Sequence, residues 1–166
     1  DTTNHDIIAL TNVIRKRLPK KHRAGVHKPA TSYDIVDSAN AARYRDAFRE
    51  VIIPDLVTLG NLWADTVLQE QYTKQIGRTH LQHAEPITYG FAYAWYLSRL
   101  GGRILKIDKA VDELRGKFSG AVGAYNASSL FFSDPEQFEK EVLAEMGLLP
   151  GEISTQIVQP EPTVDL

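Results

Sequence analysis

Eight apolar residues, Tyr93, Leu97, Leu100, Ile104, Ile107, Val111, Leu114 and Phe118, follow one another at intervals of 4, 3, 4, 3, 4, 3 and 4. That is a heptad seam sustained for more than three heptads. It predicts one helix from about Glu85 to Gly116, roughly 48 Å long at 1.5 Å per residue. Such a rod is longer than a compact domain of 166 residues is wide. Its seam can be buried only lengthwise, in an elongated bundle or against other chains. Gly101-Gly102 sit at its middle, where they either kink it or let another backbone approach.

The rest of the chain also reads as helix. Ile7, Ile8, Leu10, Val13, Ile14 and Leu18 form an amphipathic pattern with Asn4 as its N-cap, ended by Pro19 and Gly25. Thr31-Ser32-Tyr33-Asp34 has the form of a capping box and starts a helix through Asp34–Arg49. Pro54 falls in a break or in the first turn of a further helix, whose stripe is Leu56, Leu59, Trp63 and Val67. Gly116–Asn126 is a glycine-rich loop. Asp134-Pro135 and Gly147 bracket a short helix, and the tail from Gly151 has no period. No segment alternates as a strand should, and no internal repeat is present.

Composition narrows the function classes. With 19 Lys+Arg against 21 Asp+Glu, nothing calls for a polyanionic partner. The run Arg15–Arg23 holds six basic residues in nine. It could be a nucleic-acid patch, but no interleaved aromatics or second basic stripe support that, and it reads as a solvated helix end. No apolar stretch approaches the ~18 residues of a membrane span, and no signal-peptide pattern opens the chain. Zero cysteines exclude disulfides, thiolate metal sites and a cysteine nucleophile. The only methionine is Met146 and the first residue is Asp1, so the chain is expected to be a section of something longer.

Generic motifs mostly fail. The glycines of 116–123 do not fit GxGxxG, and the Walker pattern would need glycine at Val111. His80 and His83 would share a face if helical, but no HExxH accompanies them. Two segments retain a chemical reading. Gly77–Pro86 lies between two long helices, with Pro86 suited to the first turn of the second. A histidine there is either a neutral-pH acid or base on a rigid frame or a helix cap. Thr31-Ser32 at a helix N-terminus is either an anion site or a plain cap.

Five motifs occur in order over nearly the whole chain: Thr3-Asn4-His5-Asp6, Thr31-Ser32-Tyr33-Asp34-Ile35, Gly77-Arg78-Thr79-His80, Gly116-Lys117 with Gly120-Ala121-Val122-Gly123, and Ser154-Thr155-Gln156. Together they resemble the adenylosuccinate lyase family of the fumarase/aspartase superfamily. The resemblance implies an all-α fold, an elongated bundle of long helices assembled as a homotetramer with active sites shared between subunits. Residues 1–28 would end a helical N-terminal domain, and residues 29–166 would be part of the central bundle. The implied reaction is β-elimination of fumarate from adenylosuccinate, and from a succinyl-carboxamide nucleotide, in a cytoplasmic enzyme of purine synthesis that needs no metal or organic cofactor.

Carried over residue by residue, His80 would be the general acid, held by Thr79. Thr31 and Ser32 would bind a succinyl carboxylate. Asn4, His5 and Asp6 would line the nucleotide end, with His5 near the phosphate or His80. Gln156 would hydrogen-bond substrate, and His27, in Val26-His27-Lys28-Pro29, matches a further family histidine. The sequence departs from the family pattern in three places. The serine loop of form SSxMPxKxNP, which carries the general base, is not among these residues: Ser128-Ser129 is followed by Leu130-Phe131. An N-terminal arginine-tyrosine pair is absent, and Pro160-Glu161-Pro162 replaces a basic or histidine-containing stretch. The isolated chain is therefore expected to be inactive. The alternatives are another lyase of the superfamily, such as argininosuccinate lyase or a carboxymuconate cycloisomerase, or a non-catalytic helical assembly module.

Overall fold

A computed structural model describes residues 3–166. The chain divides into two compact units, Asp1–Arg43 with Leu114–Glu161, and Tyr44–Glu113 with Pro162–Leu166.

The first unit opens on α1 (Asp6–Arg17). Its N-cap is His5 rather than Asn4, because the imidazole Nδ1 takes the Ile8 N–H while Asn4 turns the chain at φ 48°. The basic run closes its other end. Arg15 Nη2 donates to the Val26 carbonyl at 2.9 Å and Arg23 Nε to that of Leu18 at 2.8 Å. These cations lie where the helix dipole favours them, which is the solvated helix end expected from the pattern. Helix α2 (Ser32–Ala47) starts at the predicted hydroxyl pair, and the Thr31 N–H donates to Asp34 Oδ2 at 2.8 Å. The last long helix of the chain, α5, is Pro135–Ala144. Asp134 Oδ1 accepts from Gln137 N at 2.9 Å, and Gly147 leaves at φ 65°, as the sequence requires. Two short strands, Arg115–Gly116 and Leu149–Pro150, pair in parallel. Gly116 must be glycine here: a Cβ would stand 2.5 Å from Leu143 Cδ2 and 2.9 Å from Ser38 Oγ. The apolar core is small, with Ile7, Ala41, Leu114, Leu143 and Leu148 buried.

In the second unit a π-turn, Phe48–Ile52, leads into α3 (Ile53–Gln69). Pro54 opens α3 directly after the π-turn, whose wider i→i+5 spacing accommodates a residue with no N–H to give the ladder. Helix α4 is Tyr89–Glu113, 25 residues or about 38 Å. The predicted rod was too long at both ends. Residues from Gln82 to Thr88 form a strand, and Leu114 and Phe118 lie beyond the helix. The seam itself is real from Tyr93 to Val111. Leu97 and Leu100 lie 3.9 Å from where a Gly60 Cβ would stand, and Trp63 meets Tyr93 edge-on at 6.3 Å. Arg49 bridges Asp108 and Asp112 of α4. Gly101-Gly102 do not break α4, and among the described residues no other backbone approaches them.

Two expectations are corrected. The segment without predicted strands contains an antiparallel hairpin, β1 (Lys74–Thr79) and β2 (Gln82–Thr88), so Pro86 sits in a strand and not in a helix. And the helical stretch Ser32–Gln69 does contain an 18-residue window long and apolar enough, by length and composition, to cross a membrane. Core helices of soluble proteins meet the same criterion, and α3 turns its stripe to α4. No residue of that window is fully buried within this chain.

Candidate active site

Of the residues singled out near the N-terminal end, His5 and Ser32 meet in the first unit. His5 Nε2 lies 3.2 Å from Ser32 Oγ. With Nδ1 accepting from Ile8 N at 3.5 Å, the ring proton sits on Nε2 and is donated to Ser32. The Ser32 hydroxyl hydrogen is then free to point at a ligand. Thr31 precedes Ser32 at the positive end of a 16-residue helix, so the pair can stabilise an anion.

His27 stands at φ 67°, in the left-handed region that a histidine enters at a cost. Its Nδ1 is buried without a hydrogen-bond partner. Gln156 is exposed, at the top of a turn in which Thr155 N donates to the Ile157 carbonyl at 3.2 Å. The glycine loop lies against this segment. Ser119 Oγ and Ser154 Oγ are 2.7 Å apart, and a Cβ on Gly123 would fall 2.0 Å from the Ser154 carbonyl oxygen.

A buried polar set that the sequence reading missed underlies these residues. Lys117 and Asp34, both 0% exposed, form an ion pair. Lys117 Nζ also donates to the Gly120 carbonyl at 2.9 Å, and Gly120 N donates to Asp34 Oδ1 at 3.2 Å. Ser38 Oγ takes the Lys117 N–H at 3.0 Å and gives its own proton to the Lys117 carbonyl at 2.9 Å. Beside it, buried Glu139 accepts from Phe118 N at 2.6 Å and from the Tyr125 hydroxyl. Burial and then the Glu139 carboxylate hold the Tyr125 phenol well above its usual value of 10.0. No local signal reveals the Lys117–Asp34 pair, whose members are 83 residues apart. Only the capping-box role of Asp34 was legible.

Thr79 and His80 belong to the second unit. Thr79 pairs with Gln82, so the hairpin turns on two residues, His80 and Leu81. Both have left-handed φ, 50° and 63°. Two-residue hairpin turns of this kind want Asn-Gly or Gly-Gly, and each ordinary L-residue there costs roughly 1–2 kcal/mol. A bulky leucine at such a φ is an outlier of the sort found at functional sites. The turn exposes both side chains, Leu81 to 87%. His83, opposite Arg78 in the ladder, is not on a helical face with His80. Among the described residues no group of three His, Cys, Asp or Glu side chains gathers as a metal site would require.

The chain has recognisable relatives. A family model described as lyase matches residues 2–162. The chain is 34% identical over 157 residues to adenylosuccinate lyase of Pyrococcus abyssi, covering 94% of this chain and 34% of that protein. It is 35% identical over 157 residues to the enzyme of Streptococcus mutans, again covering 94% and 34%. Among solved structures, a fumarate lyase from Mesorhizobium sp. BNC1 superposes with a TM-score of 0.80 at 26% identity, over 89% of this chain and 34% of that one. A 3-carboxy-cis,cis-muconate lactonizing enzyme from Pseudomonas putida gives 0.75 at 31% identity, over 89% and 33%. The chain belongs to this lyase family, the fumarate lyase superfamily. It spans about a third of the length of the adenylosuccinate lyases it matches.

Proposed function

We propose that the chain is part of a lyase that eliminates fumarate from adenylosuccinate, leaving AMP, and from the related succinyl-carboxamide nucleotide. A base removes the proton beside one succinyl carboxylate. The electron pair forms the fumarate double bond as the C–N bond breaks, and His80 protonates the departing nitrogen. The observation that carries this reading is the strained His80-Leu81 turn, which spends folding energy to project an imidazole from the tip of the hairpin. Thr79 holds His80 by closing that turn.

Thr31 and Ser32 bind a succinyl carboxylate with the hydroxyls and the helix end, and donors fixed there stabilise the charge that builds on carboxylate oxygen. Asn4, His5 and Asp6 line the nucleotide end, and His27 and Gln156 donate to substrate. The general base lies outside these 166 residues. The full-length protein is a cytoplasmic homotetramer in this account. Val57, Leu62, Leu68, Phe91 and Trp95, all exposed in the second unit, are apolar surface that other copies would cover.

The test is fumarate release from adenylosuccinate by the full-length protein, followed by absorbance. Release supports the reading; turnover of 3-carboxy-muconate instead would move the chain to the lactonizing branch of its relatives. The 166-residue polypeptide alone is expected to give no turnover.

A further inference from the structure

The binding pair Thr31-Ser32 and the glycine loop are separate in sequence, yet one buried side chain ties them together. Lys117 Nζ is shared between Asp34, whose Oδ2 holds the Thr31 N–H at 2.8 Å, and the Gly120 carbonyl at 2.9 Å. Asp34 Oδ1 returns to Gly120 N at 3.2 Å, which closes a ring of contacts. Ser38, one turn further along α2, grips both the N–H and the carbonyl of Lys117. Every member except Thr31 and Gly120 is buried. A hydrophobic pair of similar shape would hold two segments as well or better, so a buried ion pair is poor value as mere glue. What it offers is direction, because the carboxylate fixes a backbone N–H at each of two sites.

We infer that Lys117 and Asp34 are positioning residues that set the orientation of the Thr31-Ser32 substrate-binding turn against the loop 116–124. The inference rests on the proposed role of Thr31 and Ser32. It places the pair out of reach of the reacting atoms, so its effect falls on substrate binding and not on proton transfer.

Steady-state kinetics of the full-length protein with adenylosuccinate test it, alongside thermal melts. Lys117→Met alone leaves a buried carboxylate unpaired and should lower the melting temperature. Asp34→Asn combined with Lys117→Met removes both charges and should restore it. That double variant should still raise KM about tenfold, the scale of one lost hydrogen bond, with kcat within about threefold of wild type. Ser38→Ala, which touches no charge, should raise KM in the same direction by about threefold, and it decides the matter if the double variant fails to assemble. A wild-type KM in whichever of these variants folds, or a loss of kcat at constant KM, overturns the inference. Ser32→Ala separates the two layers. An unchanged KM there removes the premise itself, whereas a raised KM beside an unaffected double variant leaves the premise standing and makes the ion pair merely structural.

Discussion

The N-terminal end of α2 and the tip of the β1–β2 hairpin present candidate site residues by opposite means. Around α2 the side chains that would meet substrate are backed by buried, fully partnered polar groups: Lys117, Asp34, Ser38 and, beside them, Glu139. At the hairpin tip nothing is buried. His80 and Leu81 are exposed and held by backbone alone, at dihedrals that neither residue favours. The difference teaches that one chain can orient a donor either by satisfying it from below or by straining the turn it sits on. The first suits binding, where position must not change. The second suits a group that must stay accessible until its surroundings are completed by other elements.

The largest stability effect should come from breaking the buried side of this contrast. Lys117→Met should cost about 3–5 kcal/mol, because it leaves an uncompensated charge in the interior. Leu143, with no exposed surface, should cost roughly 2–5 kcal/mol when cut to alanine, as judged from denaturant melts of the full-length protein. If both variants melt like wild type, the first unit is not the rigid side. At the hairpin the sign should reverse. Leu81→Gly relieves the left-handed penalty of about 1–2 kcal/mol and returns part of it as chain entropy. Slower amide exchange in residues 74–88 would show the strain; faster exchange would deny it. Smaller still is the α5 cap, where Asp134→Ala should speed exchange in the first turn by the equivalent of about 1 kcal/mol.

The pH response is the finest probe. Tyr125 has its folded-state phenol raised above its unfolded value near 10.0, so its contribution is complete below pH ~10 and is lost as pH rises beyond that. Tyr125→Phe should therefore flatten the alkaline loss of stability above that pH. An identical alkaline slope in the variant would show that the phenol does not control it.

Much of the helical frame was legible because its signals are local. Asp134-Pro135, Gly147 and the stripe of Leu97, Leu100, Ile104 and Val111 act through neighbours three or four residues away. The hairpin was not legible, since β1 and β2 bury neither face and so need no alternation, and His80-Leu81 is the reverse of a turn signal. The helix was overrun for a related reason: the apolar spacing continues through Leu114 and Phe118, but there it serves a different core, with Phe118 edge-on to Phe138 at 5.7 Å. At the site, His5 and Ser32, singled out from separate motifs, do meet. His5 took the capping role read for Asn4 because an imidazole nitrogen can accept the Ile8 N–H. Lys117 in a glycine-rich loop gave no sign of its burial, which depends wholly on a partner 83 residues away.

The division of labour proposed for the two regions can be read in one kinetic comparison. In the full-length protein, His80→Gln should lower kcat for fumarate release by about 10²–10⁴-fold and leave KM within a few-fold of wild type. Ser32→Ala, measured beside it, should do the reverse. A His80→Gln enzyme that turns over adenylosuccinate at the wild-type rate would contradict the account.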